Sequence, residues 1–256
     1  QPLAPPGPWG SQGQSKGGAP ALKLPEEQPR PGEEEYIQGG ECRYRILQAL
    51  CSGTQGSCYL VAREPDEAIF VAKFHMGGHS PDHAITEAYL LAQVSHPNVL
   101  RHVETILTNH ICIITEYCEL RDLQIVLDYL ADNDLQMDEA MVAEITVQLC
   151  FGLQQLHRQN VMHRDLKPSN VFLDRHGCLK IGDLGLSRNC MVNDFAETFV
   201  GTPYYMAPEV SNREAYARSS DVWSLGSLLY QMCALAVPFD ASCEDELTEQ
   251  KMSKKY

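Results

Sequence analysis

Asp165, Lys167 and Asn170 lie in VMHRDLKPSNVFLD, and Asp183 follows shortly after in LKIGDLG. Moving a phosphoryl group asks a protein for positioning and charge neutralisation more than for covalent chemistry. In such a reaction Asp165 is suited to accept or orient the proton of an attacking hydroxyl, and Lys167 to neutralise charge on the group in transit. Asn170 and Asp183 offer hard oxygen ligands of the kind Mg²⁺ and phosphate prefer. Each residue has a plainer role when taken singly: either aspartate as a turn former, Asn170 as a cap. Their occurrence together at this spacing favours the chemistry.

The elements that must position these residues are legible from periodicity. From Tyr44 onward, YRILQAL, SCYLVA and AIFVAKF are short β-rich runs separated by turn residues, the pattern of an antiparallel meander. HAITEAYLLAQV reads as a helix and ICIITEY as a further strand. After Arg121 the chain turns mostly helical. Val142, Ile145, Leu149, Leu153 and Leu156 recur at three or four, marking a core-facing stripe. Val222, Leu225, Leu228, Leu229 and Met232 repeat this pattern in DVWSLGSLLYQMC. The expected architecture is therefore α+β and two-lobed, with a cleft between a β-rich and a helical part.

Residues 1–40 carry eight of the fifteen prolines and eight of the eighteen glycines. A segment so composed buries too little surface to offset its ordering entropy, so a disordered leader is expected. The formal charge of −14 argues against general affinity for nucleic acid or anionic membrane. No apolar run approaches the roughly 20 residues that span a bilayer. Ten scattered cysteines without a C-x-x-C pair point to a reducing compartment, with Cys112, Cys150 and Cys233 expected as small apolar fillers.

From Tyr44 to about Ala241 the chain resembles a eukaryotic protein kinase. ETFVGTPYYMAPE and IITEYCELRDL make it most similar to the NIMA-related serine/threonine kinases. The resemblance implies a small N-lobe with one main helix and a hinge over 41–118, and a mostly helical C-lobe over 119–241. It implies ATP and Mg²⁺ as cofactors, with Asp165 as catalytic base and Asn170 and Asp183 as magnesium ligands. Lys73, at the end of FVAK, then reaches the α- and β-phosphates, and Glu87 pairs with it from the predicted helix. Gly53 and Gly56 keep two positions of a phosphate-covering loop in LCSGTQGSCYLV, while Cys51 replaces its first glycine. A Cβ there is tolerable at negative φ, so weaker nucleotide affinity is expected, not its loss. Cys58 stands where kinases usually carry the valine that covers adenine. Thr115 matches the gatekeeper, Glu116, Tyr117 and Cys118 the hinge, and Leu50, Val71 and Leu173 complete the nucleotide-binding residues. Leu184 replaces the Phe of the commoner DFG, as an apolar filler.

By the same resemblance Arg164 contacts a phosphorylated activation segment, here residues 183–209, with Thr198 as the activating phosphosite. Thr202 matches the threonine that hydrogen-bonds the catalytic aspartate and lysine. With Lys167, it points to Ser/Thr protein substrates. A cytoplasmic setting is implied, with the nucleus, centrosome or cilium as further possibilities, and cell-cycle work. His75, His79 and His83 would share a zinc-binding helix face, but Gly77, Gly78 and Pro81 interrupt them, and a loop before the Glu87 helix is expected instead.

The resemblance weakens after PFDAS. Residues 242–256, SCEDELTEQKMSKKY, read as a polar tail unlike the family's helical continuation, leaving Glu209 without its expected arginine. The expected identity is thus a serine/threonine kinase with an incomplete C-lobe. The alternative is a truncated, non-catalytic kinase-like module that acts through protein partners.

Overall fold

The computed structural model describes residues 36–53, 56–75, 81–107, 110–184, 188–189 and 203–253. Six antiparallel strands form one sheet in the order β1-β2-β3-β4-β6-β5. They are β1 (Tyr36–Gln38), β2 (Arg43–Gly53), β3 (Gly56–Glu64), β4 (Ala68–His75), β5 (His102–Leu107) and β6 (Ile111–Glu116). Helix α1 (Pro81–Gln93) lies between β4 and β5 in sequence and packs against β5 and β6. The strands alternate buried and half-buried side chains, as a sheet covered on one face should. Their inner face builds a cluster around Tyr44, Val61, Phe70, Phe74 and Ile114.

The remainder is mostly helical: α2 (Leu123–Asp132), α3 (Glu139–Arg158), α4 (Pro208–Ser211), α5 (Arg218–Ala234) and α6 (Glu244–Ser253). Two small strand pairs accompany them, β7 (Val161–Met162) with β10 (Arg188–Asn189), and β8 (Val171–Leu173) with β9 (Leu179–Ile181). Aspartate caps start the two helices that flank the site. Asp122 accepts from the Ile125 N–H at 3.2 Å before α2, and Asp138 from the Ala140 N–H before α3. The expected α3 stripe, Val142 to Leu156, is buried in a core that also takes in Leu90 and Leu91 of α1 and Ile181 of β9. That core therefore runs from one lobe into the other.

The lobes are pinned at the H-P-N turn. Asn98 Nδ2 donates to the Leu179 carbonyl at 2.9 Å and to Gln148 Oε1 at 3.0 Å, while the Ile181 N–H donates to the Asn98 carbonyl at 3.0 Å. Helix α3 approaches this turn so closely that a Cβ on Gly152 would fall 2.4 Å from the Asn98 oxygen. Among the described residues no helix is long and apolar enough to cross a membrane.

Several expectations are corrected. The leader boundary at residue 40 falls too late, because Tyr36–Gln38 pairs with Arg43–Arg45 of β2. Helix α1 begins at Pro81, two residues ahead of the expected HAITEAYLLAQV, so this proline opens the helix and does not interrupt one; His75 ends β4, and His79 lies outside the described residues. The 242–256 tail contains α6, whose Leu247 and Lys251 are buried against the segment around Pro203 and Ser211. Glu209 accepts from the Ser220 hydroxyl at 2.8 Å, a contact the sequence did not suggest in place of the family's arginine. Val222 is 56% exposed, not part of a core stripe. Cys150 and Cys233 are exposed, and of the three cysteines expected as fillers Cys112 alone is buried.

Candidate active site

Between the sheet and the helical lobe lies a cavity of about 520 Å³, within the range that holds a small-molecule cofactor. Its roof comes from β2 and β3. A bulge between Ala49 and Cys51 lets both Leu50 and Cys51 line the cavity, where a regular strand would turn one of them away. Gly53 pairs with Gly56. Gly56 has φ +146°, and a Cβ there would meet the Phe74 carbonyl oxygen at 1.9 Å, so this position requires glycine. Cys58, Val71 and Lys73 continue the lining, and Thr115, Glu116, Tyr117 and Cys118 form the wall where β6 leaves the sheet. Arg101 N–H donates to Glu116 Oε1 at 2.7 Å, and Lys180 Nζ lies 3.4 Å from the same oxygen, fixing that wall.

At the inner end Lys73 Nζ donates to both Glu87 oxygens, at 2.9 and 3.1 Å, and to Asp183 Oδ1 at 2.8 Å. Glu87 is 2% exposed. Burial works against the Lys73 charge, yet the two carboxylates hold its pKa above the usual value. Burial likewise opposes ionisation of Asp183, but the Lys73 ammonium outweighs it and keeps that carboxyl below its usual range. His75 Nε2 lies 3.1 Å from Glu87 Oε2, a neighbour the sequence gave no reason to expect.

The second group sits beside the first. Lys167 Nζ is 2.7 Å from Asp165 Oδ2, and Asn170 Nδ2 donates to the Asp165 carbonyl at 2.7 Å and to Oδ2 at 3.2 Å. Asn170 lines the cavity together with Asp183, and the Gly182 N–H donates to the Asn170 carbonyl at 3.0 Å. The donor set is a carboxylate and an amide, both hard oxygen ligands at the wall of one cavity, which fits Mg²⁺. Leu184 is fully buried in the core, so the apolar slot expected of it is filled.

Leu173 does not line the cavity; Phe172 does. On β8 neighbouring side chains face opposite ways. Val171 and Leu173 turn into the core and Phe172 into the cleft, against Gly182. Arg164, at φ 72°, places its guanidinium 5.4 Å from the centre of the Tyr216 ring. Thr198 and Thr202 lie outside the described residues.

Asp221, on α5, was missed as a positioning group. It is fully buried. Its Oδ2 accepts from the His163 N–H at 3.1 Å and lies 2.7 Å from His157 Nε2; its Oδ1 accepts from the Arg164 N–H at 3.0 Å and from the Tyr216 hydroxyl at 2.7 Å. Burial works against its charge, but His157 and the other donors hold its pKa below the usual range. His163 then accepts from the Asp165 N–H at Nδ1, at 3.2 Å, which makes Nε2 the donor to the Gly182 carbonyl at 3.0 Å. Thus one buried carboxylate holds the loop bearing Asp165, and one imidazole ties that loop to the residue before Asp183. An aspartate directly before the Val222–Met232 pattern was the available signal.

The comparisons with known proteins agree with this layout. The protein kinase domain family matches residues 44–256. Serine/threonine-protein kinase Nek2 of Homo sapiens is 40% identical over 228 residues, covering 83% of this chain and 51% of that protein. Nek11 of Homo sapiens is 37% identical over 209 residues, 78% of this chain and 32% of that protein. Nek3 of Mus musculus is 34% identical over 204 residues, 78% of this chain and 39% of that protein. The chain thus spans about half or less of the length of these relatives. With the match covering nearly all of both lobes, and with Lys73, Glu87, Asp165, Asn170 and Asp183 gathered at one cleft, the chain belongs to the protein kinase domain family.

Proposed function

We propose that this chain transfers the γ-phosphoryl group of ATP to serine or threonine hydroxyls of proteins. The observation that carries the reading is the meeting of two groups at one cavity: Lys73 with Glu87 and Asp183, and Asp165 with Lys167 and Asn170. Leu50, Val71 and Phe172 take the apolar base between them, and the backbone of 116–118 supplies polar contacts at the hinge. Lys73, held in place by Glu87, binds the α- and β-phosphates. The Gly53–Gly56 turn lets the backbone approach the phosphates from above. Asp165 orients the acceptor hydroxyl and takes its proton as the oxygen attacks the γ-phosphorus and the bond to the β-phosphate oxygen breaks. Lys167 neutralises charge on the transferring group. Asn170 and Asp183 would hold Mg²⁺, which would supply neutralisation of phosphate charge. Thr198 is the proposed activating phosphosite and Thr202 the partner of Asp165 and Lys167. A cytoplasmic, reducing setting is supported by the nine described cysteines, all free.

The test is transfer of labelled γ-phosphate from Mg-ATP to dephosphorylated casein, beside a thermal melt with and without Mg-ATP. The expected result is an upward melt shift by mass action and a transfer rate that falls about 10²–10⁴-fold in Asp165→Asn. Transfer that survives Asp165→Asn would remove the assignment of the base. A melt that shifts with no transfer at all would replace catalysis with a nucleotide-binding module.

A further inference from the structure

Across β2, β3 and β4 the register sets Cys51 opposite Cys58, and Cys58 opposite Lys73. Directly opposed residues project to the same face of a sheet, and all three line the cavity. Cys51 is exposed and Cys58 half-buried. Opposed residues of an antiparallel pair have Cα atoms about 4.5–5.5 Å apart, inside the span of about 4.4–6.8 Å that a disulfide bridges. The bulge just before Cys51 turns it into this row.

We propose that Cys51 and Cys58 form a redox-sensitive thiol pair that a hydroperoxide converts to a cross-strand disulfide in the cavity roof. The chemistry divides naturally between them. The hydrogen bond from Cys58 and the charge of Lys73 favour the Cys51 thiolate, whose pKa is pushed down to about 6, while Cys58 is pushed up and keeps its proton. Thiolate character and exposure select the sulfur that reacts first. The Cys51 sulfur attacks one peroxide oxygen, the O–O bond breaks, and the other oxygen leaves as an alcohol or water, giving a sulfenic acid. The Cys58 sulfur then attacks the Cys51 sulfur, the S–O bond breaks, and the Cys58 proton departs with that oxygen as water. Two thiols and one hydroperoxide thus yield one disulfide, one water and one alcohol (a second water for hydrogen peroxide). The step uses no ATP and does not depend on the phosphoryl-transfer reading. A bond at this place would tie β2 to β3 beside the Gly53–Gly56 pair.

The sequence makes the test clean, because cleavage after Arg45 and Arg63 yields a peptide, residues 46–63, whose cysteines are Cys51 and Cys58 alone. The whole chain is treated with hydrogen peroxide at neutral pH, alkylated, digested and weighed. The expected result is a 46–63 peptide short of two hydrogens that takes no alkyl group until dithiothreitol restores both thiols. Cys58→Ser should stop at a Cys51 sulfenic acid that dimedone traps. Cys51→Ser should slow oxidation of the peptide at least tenfold. Three results would overturn the proposal: a peptide that stays doubly alkylated while other cysteines oxidise, either cysteine bonded elsewhere, or equal rates in Cys51→Ser and the parent chain.

Discussion

The Lys73–Glu87 pair offers a quantitative check on the site, because its partners are buried unequally. The side chains of Glu87, Lys73 and Asp183 are 3%, 20% and 27% exposed. Removing one partner of a buried ion pair costs about 3–5 kcal/mol, mostly because the other charge is left uncompensated. Glu87→Gln keeps the volume and one carbonyl acceptor, and Asp183 still faces the ammonium, so its cost should fall at or below the lower end of that range, about 2–3 kcal/mol. Lys73→Met strands two carboxylates and should cost about 3–5 kcal/mol. In the double variant the uncompensated charge is Asp183 alone, the most exposed of the three. The double should therefore cost less than the sum, with a coupling of about 1.5–3 kcal/mol, the upper part of what contacting residues show. Urea unfolding at constant m measures all four corners of the cycle. A thermal melt should fall about 2–4 °C per kcal/mol for a chain of this size. Because His75 also touches Glu87, the cycle is repeated with His75→Ala. Additivity within about 0.5 kcal/mol in both backgrounds would refute the claim that Lys73 and Glu87 hold one another.

Other perturbations test the supports around that pair. Asp221→Asn puts an amide NH₂ where two donors now find an acceptor, and leaving buried donors unsatisfied costs about 1–3 kcal/mol each; the melt should fall by at least 5 °C or so, with transfer activity falling beyond the loss of folded protein. Gly56→Ala sets a methyl against the Phe74 oxygen, so the turn must rearrange, and the melt shift caused by Mg-ATP should shrink more than the melt itself falls. Lys251 reaches the Pro203 carbonyl and Ser211 from α6, and burial pushes its pKa from 10.5 down to about 8. Between those two values the unfolded chain binds a proton that the folded chain does not, so folding gains stability as pH rises. Relative to Lys251→Met, the parent chain should gain about 2–3 kcal/mol in urea midpoint terms from pH 8 to 10.5. A flat difference across that window would mean the ammonium is solvated in the folded state.

What the sequence could and could not disclose follows from how each residue acts. Asp165, Lys167, Asn170, Asp183, Lys73 and Glu87 were legible because side-chain type and spacing together define their chemistry, and the structure brings them to one cavity. Leu173 was misassigned for a reason of parity: β8 is three residues long, and with Val171 opposite Ile181 its middle residue alone faces the cleft. A one-residue slip reverses every face of a strand, and nothing in NVFLD marks which of two apolar neighbours is outward.

Asp221 escaped for a deeper reason. Apolar periodicity finds the side of a helix that meets a core of side chains, yet the buried side of α5 carries Ser220, Asp221, Ser224, Ser227 and Gln231 beside Leu225, Leu228 and Met232. It meets backbone along the first turns of that face: the N–H groups of His163 and Arg164 at Asp221, and the Tyr205 carbonyl at Ser224. Buried backbone groups need partners, and a loop bent to φ 72° at Arg164 cannot find them all within itself. So the helix that carries such a loop must turn polar residues inward, and an apolar helix there would leave those donors empty. The polarity of this buried helix face is therefore itself a sign that the helix holds irregular backbone, and Asp221→Leu, branched at Cγ like aspartate but larger and without an acceptor, should destabilise the chain more than Asp221→Asn, which retains one acceptor. If urea unfolding ranked the two the other way, the inward polarity of α5 would have to be explained by packing instead of by the loop it holds.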